Sequence, residues 1–235
     1  MLDQDIDAVV ELCRATLSLA GANQPSEYGY WSLPLCVIDA VFSIGANYTS
    51  TANTVARFCQ HLGIRVGGAT SLPDAADQLS ITSFVRVYDQ YGIEAMAKSV
   101  YQNRQRTSTR NGILKSEAAL LFGQTLQQFG VDYFQDVNKI LGNASFESEI
   151  TKIPGQHSGI SLRYFYMLAG STDYVKPDRM IMRFIQLATG RMPSIQEGHD
   201  VVVGACAILA KDHPRLTPRS LDSLIWRFQR ERSKD

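Results

Sequence analysis

The sequence has little of what marks a metal centre or a membrane protein. Its cysteines are scattered, with no C-x-x-C pair and no spacing suited to zinc or an iron–sulfur cluster; they are Cys13, Cys36, Cys59 and Cys206. No apolar run approaches the roughly 18–20 residues needed to cross a bilayer. The first seven residues are acidic and polar, unlike a signal peptide. We therefore expect a cytoplasmic protein with reduced thiols and no bound metal.

The sequence also lacks charge of one sign. The formal net charge at pH 7 is +0, since 23 basic residues balance 23 acidic ones. No global positive field indicates a nucleic-acid partner, so such a partner would have to be held by local patches. The 45% hydrophobic and 20% charged residues are typical of a soluble globular protein.

Helical periodicity dominates the chain, and alternating strand patterns are nearly absent. The pattern predicts an all-α protein, with helices from about residue 3 to about residue 232. From residue 111 onward the helices are predicted over about 111–129, 132–140, 145–153, 158–170, 177–189, 194–211 and 218–232. At 235 residues the chain is long enough for one compact domain or two small helical lobes.

The most informative stretch is residues 146–184. A predicted helix closes on Ile153-Pro154-Gly155, a tight turn follows, and an apolar helix comes next; the turn consists of Gln156, His157, Ser158 and Gly159. Glycine permits a sharp turn and the close approach of another molecule. The first N–H groups of the following helix bind phosphate well. An ordinary helix–turn–helix connection explains the turn by itself equally well.

The continuation of this stretch resembles the helix-hairpin-helix DNA glycosylases, the superfamily of endonuclease III and of the adenine and alkylpurine glycosylases. Their hairpin reads Leu-Pro-Gly-Val-Gly and is followed by a catalytic aspartate. Asp178 follows Gly155 at a similar spacing. Val175-Lys176-Pro177-Asp178 replaces the Val-Asp of that family. His157, or Gly159 with one inserted residue, replaces the second glycine.

The resemblance covers about residues 34–190. Residues 35–43 look like the helix that opens the family's six-helix barrel, and residues 110–118 like the segment before the hairpin. The resemblance implies a helix-hairpin-helix glycosylase fold, with two helical lobes around a cleft. Residues 34–150 would form the barrel lobe. Residues 1–33 and 151–235 would form the second lobe, with the hairpin at 145–170.

The chemistry that the resemblance implies is excision of a base flipped out of double-stranded DNA. Asp178 would stabilise positive charge on the sugar or deprotonate a water. Relatives that also cut the strand carry a lysine at the start of the helix after the hairpin, and residues 158–161 contain none. We therefore expect a monofunctional enzyme, a monomer that leaves an abasic site. No iron–sulfur cluster is expected, and the one bound ion left open is a monovalent cation at the hairpin. A simple helix N-cap is the alternative role of Asp178.

Positive charge is concentrated in residues 95–116, which contain no acid. The predicted contacts to DNA are residues 155–159, Lys176, Arg106, Arg110 and Lys115. A solvated loop would show the same composition.

The base pocket is harder to read. Asp39 lies within an apolar helix, where an unpaired carboxylate is costly, so it either lines the pocket or is paired inside the barrel. The other pocket or wedge candidates are Phe42, Gly45, Asn47 and Tyr48. Relatives often carry a bulkier polar residue at the position of Gly45. This suggests room for a large base, such as a bulky modified base of phage DNA.

Several interpretations remain open at this point. Alkylated purines, oxidised purines and modified pyrimidines are all substrates of this fold, in repair or in antiviral defence. The alternative functions are a non-catalytic DNA-binding module and a helical adaptor. A binding module has no need of Asp178, and an adaptor leaves the hairpin and the acid-free basic run unexplained.

Overall fold

The structure, a computed structural model, describes residues 2–21 and 28–232. No residue in these ranges lies in a β-strand, and extended residues pair only in two isolated bridges, Tyr28–Ala69 and Arg106–Leu114. The prediction of an all-α chain is confirmed. No helix in these ranges is long and apolar enough to cross a membrane.

Eleven α-helices lie in the described ranges: α1 (Leu2–Thr16), α2 (Leu33–Phe42), α3 (Tyr48–Leu62), α4 (Ile81–Tyr91), α5 (Ile93–Ala95), α6 (Lys115–Gln128), α7 (Ala144–Lys152), α8 (Ile160–Leu168), α9 (Arg179–Thr189), α10 (Ile195–Leu209) and α11 (Pro218–Arg232). A π-helical turn, Met96–Val100, continues α5. The chain divides into two compact units. Of the described residues, 2–21 and 171–232 form the first unit, and 28–170 form the second unit.

The first unit packs α1 and α11 against α9 and α10. Its apolar core takes residues from all four helices, among them Val9, Phe184, Val202 and Ile225. The strongly amphipathic α9 begins after Asp178 and ends at Gly190, which adopts the left-handed conformation that favours glycine.

The second unit is built around α2, whose ten residues are all buried. Helices α3, α6 and α8 contact it. Apart from Asp39 the helix is apolar, and a helix that is apolar on nearly every side belongs in the centre of a fold. Beside it, the rings of Phe42, Phe58 and Tyr101 pack with centroids 5.1–5.7 Å apart. The loop that follows Phe42 therefore starts from a rigid element.

The structure differs from two sequence-based expectations. The helix predicted over 111–129 begins only at Lys115, because Asn111 has a φ of 53° and residues 105–115 form a turn of their own. The hairpin residues 151–170 group with residues 28–150, whereas the sequence-based division assigned them to the other lobe. Phe165 explains the grouping, since its ring lies 5.1 Å from that of Phe122 in the second unit's core.

Candidate functional site

The hairpin turn, residues 153–159, joins α7 to α8 in the second unit. Ile153 is extended and ends α7, because the ring of the following Pro154 is incompatible with a continued helix. Gly155 and Gly159 have φ values of 88° and 71°, which residues with a side chain rarely adopt. A Cβ at Gly155 would also overlap Thr107 and lie 3.0 Å from its Cγ2 and Oγ1. Glycine at 155 is therefore required both by the backbone and by a neighbouring loop.

The hairpin turn exposes backbone donors. Within the turn, Gln156 N–H donates to Ile153 O and Gly159 N–H donates to Gln156 O, at 2.9 and 3.0 Å. The N–H groups of His157 and Ser158 find no acceptor among the described residues, and both residues are exposed. The first turn of α8 follows directly. Such a group of donors suits an anion.

Gln156 itself does not face outward. Its side chain is 1% exposed, and its Oε1 accepts a hydrogen bond from the Ser161 hydroxyl. The predicted DNA contact of this side chain is replaced by a structural one, because it ties the turn to α8 from the inside. Any contact from the turn to a ligand therefore involves the neighbouring residues.

The basic loop, residues 102–114, lies against the hairpin turn through Thr107 and Gly155. Thr107 N–H donates to Ile113 O at 2.9 Å, and Arg106 Nη1 donates to Gly112 O at 2.7 Å. Arg106 and Arg110 are both exposed. The structure thus brings together two segments that the sequence predicted separately as phosphate contacts.

Lys115 differs from these arginines because it is 3% exposed. Its ammonium donates to Phe42 O, Ile44 O and Gln105 Oε1 at 2.7–3.1 Å, which uses its three donors. Burial lowers its pKa from 10.5 to about 8. Lys115 therefore supports the end of α2 and the basic loop, and its ammonium is not offered to a phosphate.

A polar groove with a volume of about 550 Å³ adjoins the basic loop. It is lined without any acid by Asn47, Thr49, Ser50, Asn53, Arg57, Gln102, Asn103 and Arg104. Arg57 Nη1 donates to the carbonyls of Tyr101 and Gln102, at 3.4 and 3.2 Å. Gln102 has a φ of 48°, a strained value for a residue with a side chain. Arg104 Nη2 lies 3.3 Å from Glu94 Oε2, so Arg104 is already paired with an acid that does not line the groove, while Arg57 holds the backbone of the basic loop.

The pocket and wedge candidates occupy different environments. Phe42 is fully buried in the core, while Tyr48 is 60% exposed. Asn47 caps α3, accepting Ser50 N–H at 2.8 Å. Gly45 has a φ of 64°, and a Cβ there would meet nothing within 4 Å in the described ranges. The loop after α2 thus leaves open space at Gly45, and Tyr48 is exposed at the start of α3.

Asp39 is paired inside the second unit. The hydroxyl groups of Tyr30 and Tyr164 donate to its Oδ2, at 2.8 and 3.2 Å. Burial and the neighbouring Asp39 carboxylate raise the pKa of Tyr30 above its ordinary value. Both tyrosines are half-buried, so the carboxylate lies beneath a partly accessible aromatic surface.

Asp178 lies in the first unit, at the N-cap of α9. Its Oδ1 accepts the N–H groups of Met180 and Ile181, at 2.8 and 3.4 Å. Its Oδ2 accepts no hydrogen bond from the described residues. One oxygen therefore fixes the carboxylate while the other remains available. Lys176, the predicted phosphate contact nearby, is half-buried.

Asp222 of α11 is a second carboxyl beside Asp178. It is 7% exposed, and its Oδ2 accepts the backbone N–H of Lys176 at 2.8 Å. Burial, and then the charge of Asp178, raise the pKa of Asp222 from 3.8 to about 8. A carboxyl with such a pKa is mostly protonated at neutral pH.

A family described as "Domain of unknown function (DUF8548)" matches residues 7–230. The chain belongs to this family. No curated protein and no solved structure matches the chain.

In this DUF8548 chain, sequence reasoning missed Asp222, Arg57 and Gln102. Asp222 lies 44 positions after Asp178 in a helix with no motif around it. The positive φ of Gln102 has no signal in the sequence, because only glycine and asparagine mark that conformation. These residues become candidates only through their neighbours in the folded chain.

Proposed function

We propose that this protein is a monofunctional DNA glycosylase of the helix-hairpin-helix fold. The hairpin turn and the basic loop bind the phosphates of double-stranded DNA, and Asp178 serves the chemistry. The observation that carries the proposal is the hairpin turn, with exposed N–H donors beside a loop bearing Arg106 and Arg110. Backbone amides and arginines are the groups that hold DNA phosphates without reading sequence.

The proposed reaction is hydrolysis of an N-glycosidic bond. The bond breaks with its electron pair on the base, which takes a proton, while positive charge develops on the sugar. Asp178 Oδ2 stabilises this charge or accepts a proton from the water whose oxygen bonds to the sugar carbon. No lysine stands at 158–161 to form a Schiff base, so the product is an abasic site.

The second candidate is a non-catalytic DNA-binding module. The observation that favours it is the capping contact of Asp178, since an N-cap alone accounts for an aspartate at this position. The glycosylase and the binding module differ in the role of Asp178 Oδ2, the oxygen that does not cap α9. A binding module gains nothing from a carboxylate near phosphate.

The test is to incubate the protein with duplexes that carry a panel of modified bases, and with genomic DNA from phages that carry bulky base modifications. Alkali then converts abasic sites into strand breaks. The open space at Gly45 leads us to expect activity on a bulky base. Binding to DNA without breaks in any substrate would favour the module.

Asp178→Asn should lower the single-turnover rate by about 10²–10⁴-fold, the usual contribution of a positioned acid–base group. DNA affinity should be equal or slightly higher, because a negative charge near phosphate is removed. Asp173→Asn, at an exposed residue of the same unit, is the matched control and should retain the wild-type rate. Turnover of Asp178→Asn within tenfold of wild type would remove Asp178 from the catalytic role.

A further inference from the structure

The backbone of Lys176 links the carboxyl group of Asp222 to the backbone of Asp178 in the first unit. Its N–H donates to Asp222 Oδ2 at 2.8 Å, and its carbonyl accepts the N–H of Asp178 at 2.6 Å. Asp222 lies on α11, which packs against α9, the helix capped by Asp178. The loop before α9 is therefore held at the backbone of one residue, Lys176, between the residue that caps α9 and a side chain from α11.

The hydrogen bond between Lys176 and Asp222 lies in a buried environment. Asp222 is buried, and Arg219, one turn earlier on α11, is buried as well. A second hydrogen bond, from Arg219 N–H to Thr172 O at 3.1 Å, attaches the start of the same loop to α11. Buried hydrogen bonds are costly to break because the freed groups find no water. Movement of this loop would displace Asp178 directly.

We propose that Asp222 is a positioning residue for Asp178 and that it acts through the backbone of Lys176; the role rests on the proposed glycosylase function. It holds the loop so that one oxygen of Asp178 caps α9 and the other faces the reacting sugar. A neutral carboxyl performs this task through its carbonyl oxygen, without placing a second negative charge beside Asp178.

The charge around Asp222 makes the arrangement sensitive to pH. Asp178 at the start of α9, Lys176 in the loop and Arg219 on α11 are the charged groups that act on it. Burial and the charge of Asp178 outweigh the hydrogen bond from the Lys176 N–H and the charges of Lys176 and Arg219, so the pKa of Asp222 rises to about 8. Above this pH the buried carboxylate repels Asp178 and favours opening of the loop to water. We expect the rate to fall there.

The experiment compares Asp222→Asn and Asp222→Ala with Asp212→Asn, a control at an exposed carboxyl of the same unit. Single-turnover rates and DNA affinities are measured from pH 6 to 9.5 on the duplex cleaved in the panel above. Hydrogen exchange of the Lys176 amide is measured in parallel. This second readout needs neither DNA nor activity.

Asp222→Asn keeps an acceptor for the Lys176 N–H, so its rate at pH 7 should stay within about threefold of the wild-type rate. Because asparagine does not titrate, the rate of this variant should not fall near pH 8. Asp222→Ala should lower the rate by about 10²-fold at unchanged affinity, the effect of a small misplacement of a reacting group. Its Lys176 amide should exchange at least tenfold faster.

An alanine variant with the wild-type rate would overturn the positioning role, as would an asparagine variant that keeps the wild-type fall near pH 8. If the alanine variant does not fold, the pH profile of the asparagine variant decides. Failure of the glycosylase proposal would give a different result, because the wild-type protein would then excise no base from any duplex. Unchanged exchange of the Lys176 amide in a folded alanine variant would overturn the link itself.

Discussion

Substitution of Gly155 tests the contact that joins the hairpin turn to the basic loop. Alanine at this position, with its φ of 88°, costs about 1–2 kcal/mol for the left-handed backbone. The overlap of its Cβ with Thr107 adds a steric penalty of about 1–3 kcal/mol. Gly159→Ala is the matched control, because its φ of 71° carries the backbone cost while its Cβ would lie 3.9 Å from Arg163 Nη1, an ordinary contact distance.

Urea denaturation followed by circular dichroism should therefore show a larger loss of unfolding free energy for Gly155→Ala than for Gly159→Ala, by about 1–3 kcal/mol. Thr107→Gly removes the clashing Cβ, so the double variant should recover most of that difference. DNA affinity of Gly155→Ala should fall equally for all sequences if the turn contacts phosphate, as we propose. Equal stability losses at the two glycines, or no recovery in the double variant, would refute the contact.

Three further outcomes are expected. Borohydride should trap no covalent enzyme–DNA adduct, because residues 158–161 offer no lysine; efficient trapping would show that an amine attacks the sugar. Arg106→Gln should lower the slope of log affinity against log salt concentration by up to about one unit, whereas Arg86→Gln, at an exposed residue of α4, should leave that slope unchanged. If both variants had the same slope, the basic loop would not contact DNA. The unfolding free energy should fall as pH rises from about 4 to 8, because folded Asp222 keeps a proton, with a pKa of about 8, that the unfolded chain releases near 3.8. In urea denaturation between pH 4 and 8, Asp222→Asn should reduce the fall in unfolding free energy by up to about 1.4 kcal/mol per pH unit. If the unfolding free energy of the wild type and of the variant depended on pH in the same way, the pKa of Asp222 would not be raised.

The helices could be predicted largely from local signals. Gly63 ends α3 in the left-handed conformation, as a glycine after an amphipathic run predicts. Pro154 and Gly155 mark the end of α7 equally well. The start of α6 was misplaced, because the turn before it is closed by backbone hydrogen bonds across residues 105–115 that no local pattern announces.

The sequence by itself determined the all-α class, the glycine turn at 155–159 and the aspartate at the start of α9, since caps, turns and periodicity act between residues close in the chain. Only the tertiary structure decided which polar residues face solvent. Lys115 looked like a surface contact but is buried against carbonyls at and after the end of α2, and Gln156 is buried against Ser161 of the following helix. Asp222 gained its place beside Asp178 in the same way, because burial and charge depend on what folding brings near and not on the neighbours in the chain.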